Sequence, residues 1–438
     1  MEIEEKYLAL FGSLGKTIQK RISENRFPAM GLTTNLDLLC EFQVEKLNEL
    51  IERFLPGLKS SELCPAAEIS TPQELIQTIA YFCVNGIGGE VDLKNLELMN
   101  RNFRFRRAIG GTSAQAAMAL AAVGMPSVIH LTDDSKEVCK ILDSPLIYTV
   151  SESGRPVHTG QLSQKNKQEV HYIIQFQKGG TVHFSDRELR VPVSNRLILT
   201  NVTVNGSLPL SQPYFSYIES NAQKFSSNVL SSFNCLRSRE DLQRRLDFIR
   251  QHLKKYKRGN PKGIVFFEDA HYHSNDIKKF CMETIYPYID IVSLNEEELK
   301  STLALYGATV RPDDILSCVE GMVAIRRKFR VRKGVIVHTK DYSLYAGDRI
   351  DGCDIESGLI YGNLLATAKA MGGFYGTKDK LAEVVKLSLS EKGKKDAAAL
   401  KNSGYGREAI LVPSKYIDRP KYTIGLGDSF VAGLQICF

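Results

Sequence analysis

Leu8, Phe11, Leu14, Ile18 and Ile22 recur three and four residues apart, the period of an amphipathic helix, so a helix is expected over 4–24. "PAMGLTTNLDLL" then reads as a strand with a polar end, and residues 44–56 and 73–84 return to helical spacing. "GGTSAQAAMALAAVG" is a glycine turn running into an alanine-rich helix, and "PSVIHL" is a short buried strand. Between 146 and 186 the pattern changes. "PLIYTV", "VHYIIQFQ" and "TVHFSD" are short apolar runs split by polar turns, which predicts an antiparallel sheet. From 194 onward "NRLILTNV", "GIVFFED", "IDIVSLN" and "GVIVHT" alternate with helical stretches, the pattern of a parallel sheet covered by helices. "RQHLKKYKRGNPKG" reads as a solvated basic helix end, and "SEKGKKDAAALKNSGYGRE" as a polar loop with some helix. The fold class expected is α/β: a large domain with a mostly parallel sheet, and a smaller α+β lid with an antiparallel-type sheet. The expected large domain is 1–40, 106–145 and 193–438; the expected lid is 41–105 and 146–192.

At 438 residues the chain has room for two folding units with large cores. A formal charge of +7, from 57 basic and 50 acidic residues, suits a site for phosphorylated ligands. Nucleic-acid binding through the basic run at 250–262 is not expected, because no recognisable module accompanies it. The nine cysteines are scattered and never stand in C-x-x-C spacing, which argues against a disulfide framework or zinc cluster and for a reducing compartment. "MEIEEKYLAL" is acidic where a signal peptide would be basic, and the longest apolar stretch is interrupted by Pro126 and His130. A cytoplasmic protein with no membrane partner is expected.

Polar residues follow the apolar runs directly. They are Asn35 and Asp37, Glu268 and Asp269, Asn295 to Glu298, and His338 to Lys340. In a parallel sheet such ends meet on one edge, where ligands bind. Glu268 and Glu298 could there hold magnesium through water. Asn295 and Glu298, three apart, share a helix face, whereas Glu296 and Glu297 read equally well as an acidic first turn. The glycines of "RRAIGGTSAQ" permit close backbone approach to a sugar, a hinge or helix-to-strand packing. Near the end, "TIGLGDSFVAGLQICF" sets Gly425 and Gly427 before a short apolar helix, a ready anion site. Asp428 conflicts with an anion unless it takes a proton there; the simpler alternative is an Asp N-cap after a glycine turn.

Together these pieces, in order from about Gly31 to Gly433, resemble the ADP-dependent sugar kinases, the glucokinases and phosphofructokinases of the ribokinase-like superfamily. "LVPSKYIDRPKYTIGLGDSF" is similar to the family's V-P…P…T-V-G-x-G-D, "NRLIL" to N-R-F-I, "LTTNLD" to N-x-D, "SLNEEE" to N-x-x-E and "VHTKDY" to H-T-R-x-Y. The resemblance implies a ribokinase-like large domain and transfer of the β-phosphoryl group of ADP to a sugar hydroxyl. It makes Asp428 the general base and the backbone of Gly425, Leu426 and Gly427 the anion hole. Asn295, Glu298 and Glu268 would organise Mg2+ and its waters, and Arg196, Tyr342, Val412 and Pro413 would serve ADP. Asn35, Asp37, Gly110, Gly111 and His171 would hold the sugar. Glu90 falls where glucokinases keep a glutamate against glucose.

Three departures stand out. Phe266 replaces the histidine of H-x-E, loosening the surroundings of the metal. Thr112 replaces the glutamine of G-G-Q, at the sugar. "TNVTVNGSLPL" does not follow the family. Glucose is the expected acceptor. Fructose 6-phosphate is the alternative, for which Lys165, Lys167 and Lys178 are available in the lid. An ATP-using ribokinase-like kinase and a non-catalytic sugar-binding protein are the other readings. Sugar and ADP are the expected partners, and the expected state is a monomer or weak homodimer.

Overall fold

The apolar runs that alternate with helices form the middle of one ten-stranded sheet. The computed structural model describes residues 2–162, 168–373, 375–406 and 408–438; Lys165 and Lys167 lie outside the described residues. Across this large sheet the strands are Ala409–Pro413, Tyr342–Gly347, Gly334–His338, Ile291–Asn295, Ile264–Glu268, Phe225–Leu230, Phe27–Met30, Ser127–Ile129, Ile147–Val150 and Pro156–His158. The seven from Gly334–His338 to Ile147–Val150 are parallel. Antiparallel pairings close the sheet at both ends.

Each central strand feeds two cores. Phe267, Val292 and Val337 pack on one face; Phe266, Ile291 and Ile336 pack on the other. Burial on both faces is why these strands read as unbroken apolar runs.

The second sheet has six strands in the order Glu68–Ile69, Gly89–Leu93, Asn195–Asn201, Val170–Phe176, Asn35–Cys40 and Phe105–Gly110. Its alternation is strict. Val91, Leu93, Leu197, Leu199, Tyr172 and Ile174 join the core made with the helices Val44–Phe54 and Pro72–Asn85. Successive side chains in a strand point to opposite faces. The other face therefore carries Glu90, Asp92, Arg196, Thr200, His171, Asn35 and Asp37. Register aligns Thr200, His171 and Asp37 in one row across three strands.

Several strands fall in a different sheet from the one expected. "PAMGLTTNLDLL" is two strands: Phe27–Met30 in the large sheet and Asn35–Cys40 in the small one. Asn195–Asn201 belongs to the small sheet, because Leu197 and Leu199 pack under the lid helices. Ile147–Val150 and Pro156–His158 extend the large sheet instead of the lid. The helix expected within the polar stretch 390–408 is Glu391–Lys401, capped by Ser390. No helix among the described residues is long and apolar enough to cross a membrane.

His130 ties the two sheets' connections together. Its Nε2 accepts the Ser211 N–H at 3.0 Å, so Nδ1 carries the proton and donates to the Leu32 carbonyl at 2.7 Å. Burial pushes the imidazole down to about 4, against the Leu32 bond that favours its charged form. The unfolded chain therefore binds a proton near pH 6.5 that the folded chain refuses until about pH 4. Stability is full above pH 6.5 and falls by about 3 kcal/mol as the pH drops through that window. We expect His130→Gln to flatten this part of the acid melting curve. An unchanged slope between pH 6.5 and 4 would place the acid sensitivity elsewhere.

Candidate active site

The closing helix, Leu426–Gln435, starts from Gly425 as N-cap, with φ 71°. Only this glycine of the pair has a left-handed backbone. A side chain there would also collide with Gln115 Oε1, from the helix Thr112–Ala122. Asp428 is the third residue of the helix, so the N-cap alternative fails. The first amides of the helix have no acceptor within it and carry its positive dipole end.

Asp428 accepts a hydrogen bond from Thr112, and Glu268, Lys369 and Arg196 are its charged neighbours. Burial and then Glu268 push its carboxyl up; Thr112, Lys369 and Arg196 oppose them. Lys369 is all but buried near the end of the apolar helix Ile355–Gly372, its Nζ 3.9 Å from the centre of the Tyr375 ring. Burial lowers the Lys369 ammonium to about 8, while Asp428 and Asp37 pull it the other way. Arg196 approaches from the small sheet. Its Nε is buried without a partner, and burial lowers its guanidinium while Asp428 and Glu298 favour its charge.

Beside them stands a crowd of carboxylates. His338 Nε2 contacts Glu268 Oε1 at 2.9 Å, and Glu268 Oε2 is buried with no partner. Burial disfavours the charged His338 ring, but Glu268, Glu298 and Glu296 outweigh it and hold the imidazole above its ordinary value. Asn295 and Glu298 form a capping box: Asn295 Oδ1 accepts the Glu298 N–H at 2.9 Å, and Glu298 Oε2 accepts the Asn295 N–H at 2.8 Å. Burial, then Asp269 and Glu268, push the Glu298 carboxyl up to about 7. Among the described residues no three His, Cys, Asp or Glu converge as direct metal ligands. Magnesium, which keeps much of its water, fits such a set of unrelieved carboxylates better than an all-protein cage would.

On the small-sheet side, Asn35 Nδ2 donates to Asp37 Oδ1 at 2.6 Å. Gly110 lies against both, and a side chain there would collide with them. The observed reason is none of the three left open by the sequence: Gly110 makes room for the Asn35–Asp37 pair on the neighbouring strand. Burial drives the Asp37 carboxyl up to about 6, partly offset by His171 and Asn35. His171 Nε2 is 3.3 Å from Glu169 Oε1; burial opposes its charge, and Glu169, Asp37 and Glu90 together raise it. Glu90 Oε1 accepts from Thr200 Oγ1 at 3.2 Å.

The structure thus brings together Asp428, Gly425, Leu426, Gly427, Arg196, Glu268, Asn295 and Glu298, with Asp37, Asn35 and His171 opposite. Tyr342, Val412 and Pro413 are buried, and the Val412 and Pro413 carbonyls accept from Asn363 at 3.4 Å and Tyr7 at 2.8 Å. Lys178 pairs at 3.5 Å with Asp418. Sequence reasoning missed Lys369, although a lone cation in "GLIYGNLLATAKAMGG" was a visible signal. It also missed His273, 3.8 Å from Glu90. Thr112 is a hydrogen-bond partner of the Asp428 carboxylate, so that departure bears directly on Asp428.

Gly425→Ala should destabilise the protein by about 1–3 kcal/mol from the positive φ alone, and more from the Gln115 collision. Adding Gln115→Ala should recover the second part only. Wild-type melting of Gly425→Ala would contradict the geometry.

The sequence profile of the ADP-specific phosphofructokinase/glucokinase conserved region matches residues 28–434. The ADP-dependent glucose/glucosamine kinase of Pyrococcus abyssi is 24% identical, over 97% of this chain and 95% of that protein. The ADP-specific phosphofructokinase of Pyrococcus horikoshii is 23% identical, over 92% and 95%. Among solved structures, an ADP-dependent kinase in complex with fructose-6-phosphate and ADPβS superposes with a TM-score of 0.78 at 19% identity, covering 99% of this chain and 97% of that one. A phosphofructokinase from P. horikoshii OT3 with AMP gives 0.72 at 18% identity, covering 94% and 98%.

Proposed function

The chain belongs to the ADP-specific phosphofructokinase/glucokinase family, and from that premise we propose an ADP-dependent hexose kinase that transfers the β-phosphoryl group of ADP to a sugar hydroxyl, yielding AMP and a sugar phosphate. The observation that carries the reading is Asp428 at the amide end of the closing helix, faced by Arg196 from the other sheet.

Phosphoryl transfer asks the protein for charge stabilisation, alignment and a base for the incoming hydroxyl. The amides of Gly425, Leu426 and Gly427 receive the oxygens of the transferred group. Asp428 accepts the hydroxyl proton; Thr112, Lys369 and Arg196 keep its carboxylate available for that. Arg196, with its unpartnered Nε, binds the ADP phosphates. Asn35, Asp37 and His171 hold the sugar and aim its hydroxyl at Asp428. Glu268, Glu298 and Asn295 would hold Mg2+ and its waters, and the ion would supply neutralisation of phosphate charge. Glucose is the acceptor favoured, because Glu90 offers a carboxylate to its hydroxyls. Fructose 6-phosphate is the second reading, since family members of both names align along most of the chain.

AMP formation from ADP and from ATP, each with Mg2+ and with glucose or fructose 6-phosphate, tests the proposal. ADP should be the better donor; equal or faster turnover with ATP overturns it. Asp428→Asn should lower kcat about 10²–10⁴-fold. ADP affinity should be kept or tightened, because a negative charge has left the anion site. Melting should move little: Asn keeps an oxygen for Thr112 and loses a helix-dipole contribution of about 0.3–1 kcal/mol, while relief from burial of a charge and from Glu268 offsets the lost attraction of Lys369 and Arg196. Normal turnover in this variant would remove Asp428 from the chemistry.

A further inference from the structure

Glu90 is held from outside its own sheet. A cavity of about 250 Å³ opens where the strand Gly89–Leu93 faces the loops that follow two large-sheet strands; Glu90, Asp92, Asn234, Arg237, His273 and Ser274 line it. Two charge pairs cross it. His273 Nε2 stands 3.8 Å from Glu90 Oε1, an ion-pair contact longer than a hydrogen bond. Arg237 grips Asp92 through both guanidinium nitrogens, at 2.6 and 2.7 Å.

We propose that His273 is a positioning residue for acceptor selection: from the large-sheet side it fixes the Glu90 carboxylate in the orientation that reads a neutral, hydroxyl-rich sugar. The inference rests on Glu90 contacting the acceptor. Three observations support it. Thr200 and His273 both engage Oε1 of Glu90, which leaves Oε2 to accept from a sugar hydroxyl. Both side chains are about one-third exposed or less, at 27% for Glu90 and 34% for His273, so without its partner Glu90 can turn toward water. Finally, the cations of this cavity already have carboxylate partners. Arg237 spends its fork on Asp92, and His273 faces Glu90, so the walls offer no unmatched positive charge to a phosphate group. Alternating donors and acceptors of this kind suit hydroxyls. The Glu90 contact, more than the burial that opposes it, holds the His273 imidazole above its ordinary value, in keeping with a charged partner. Arg237–Asp92 is half-exposed and contributes little stability; its geometry serves as the second fastening between the sheets.

The test is a double-mutant cycle read in two ways: steady-state AMP production and calorimetric titration of the full-length protein with glucose. His273→Ala should raise the glucose KM about tenfold and weaken glucose affinity by the same factor, with kcat within about twofold. His273→Gln, which can still donate toward Glu90, should recover most of that loss. In a Glu90→Gln background the His273→Ala change should cost less than about twofold, because the group it positions is gone. An equal cost in both backgrounds overturns the proposal. So does a fall in kcat with unchanged KM and affinity, the pattern of a residue that only fastens the sheets. Should the wild type yield no AMP from ADP, the kinase reading fails, and the calorimetric cycle alone then decides on His273. Absence of glucose binding to the wild type overturns the inference outright.

Discussion

A carboxylate at the amide end of a helix is the constraint on which the site depends. The closing helix attracts anions, and Asp428 is one already in place. To serve as the proposed base it must stay ionised, yet burial and Glu268 both favour its neutral form. Thr112, Lys369 and Arg196 work the other way, one through a hydrogen bond and two through charge. Each comes from a different element: the alanine-rich helix, the apolar helix Ile355–Gly372, and a strand of the other sheet. An isolated buried carboxylate would neutralise, so the surrounding fold is organised around keeping two cations near it.

The same logic extends to the metal side. Asp269 and Glu268 raise the cost of ionising Glu298, and among the described residues His338 stands directly against Glu268 as a hydrogen-bond partner. Phe266 shares the sheet face of Glu268, since the two are two residues apart in one strand, but it is fully buried near Phe438. Its replacement of histidine therefore removes an imidazole from below Glu268 while leaving the one at His338. The orphaned Glu268 Oε2 marks where positive charge is still wanted.

Much of this was legible in the letters. Unbroken apolar runs ending in polar residues gave the parallel sheet and its ligand edge, because both faces of each central strand are buried. The sheet to which Asn195–Asn201 belongs was not legible. "NRLIL" carries apolar residues that could serve either core, and only pairing with Val170–Phe176 puts Arg196 on the cleft face. Asn35 and Asp37 were read as the tail of a large-sheet strand for the same reason: nothing in "GLTTNLDLL" announces that the chain changes sheets at Thr33. His273 was invisible because its partner lies far away in sequence and on the other sheet. Lys369 was visible as an anomaly in an apolar helix, but its neighbours were not.

The proposed chemistry is divided between the two sheets, and that division explains the crossings. On that reading the large-sheet body supplies the base, the helix amides and the carboxylate cluster, and the small sheet supplies Arg196 and the row of Asp37, His171 and Thr200. Where they meet, Gln175 Oε1 accepts the Thr423 N–H at 2.7 Å, two residues before Gly425, and Gln175 stands directly opposite Arg196 on the adjacent strand. The segment that leads into Gly425 is thereby fastened to the strands that carry Arg196. Separating the sheets would take Arg196 away from Asp428 and leave Lys369 as its one cation among the charged neighbours named above. On the kinase reading it would also admit water, a competing acceptor for the phosphoryl group. Contact between the sheets therefore serves that reading twice: it keeps water from the site, and it completes the charge balance around Asp428.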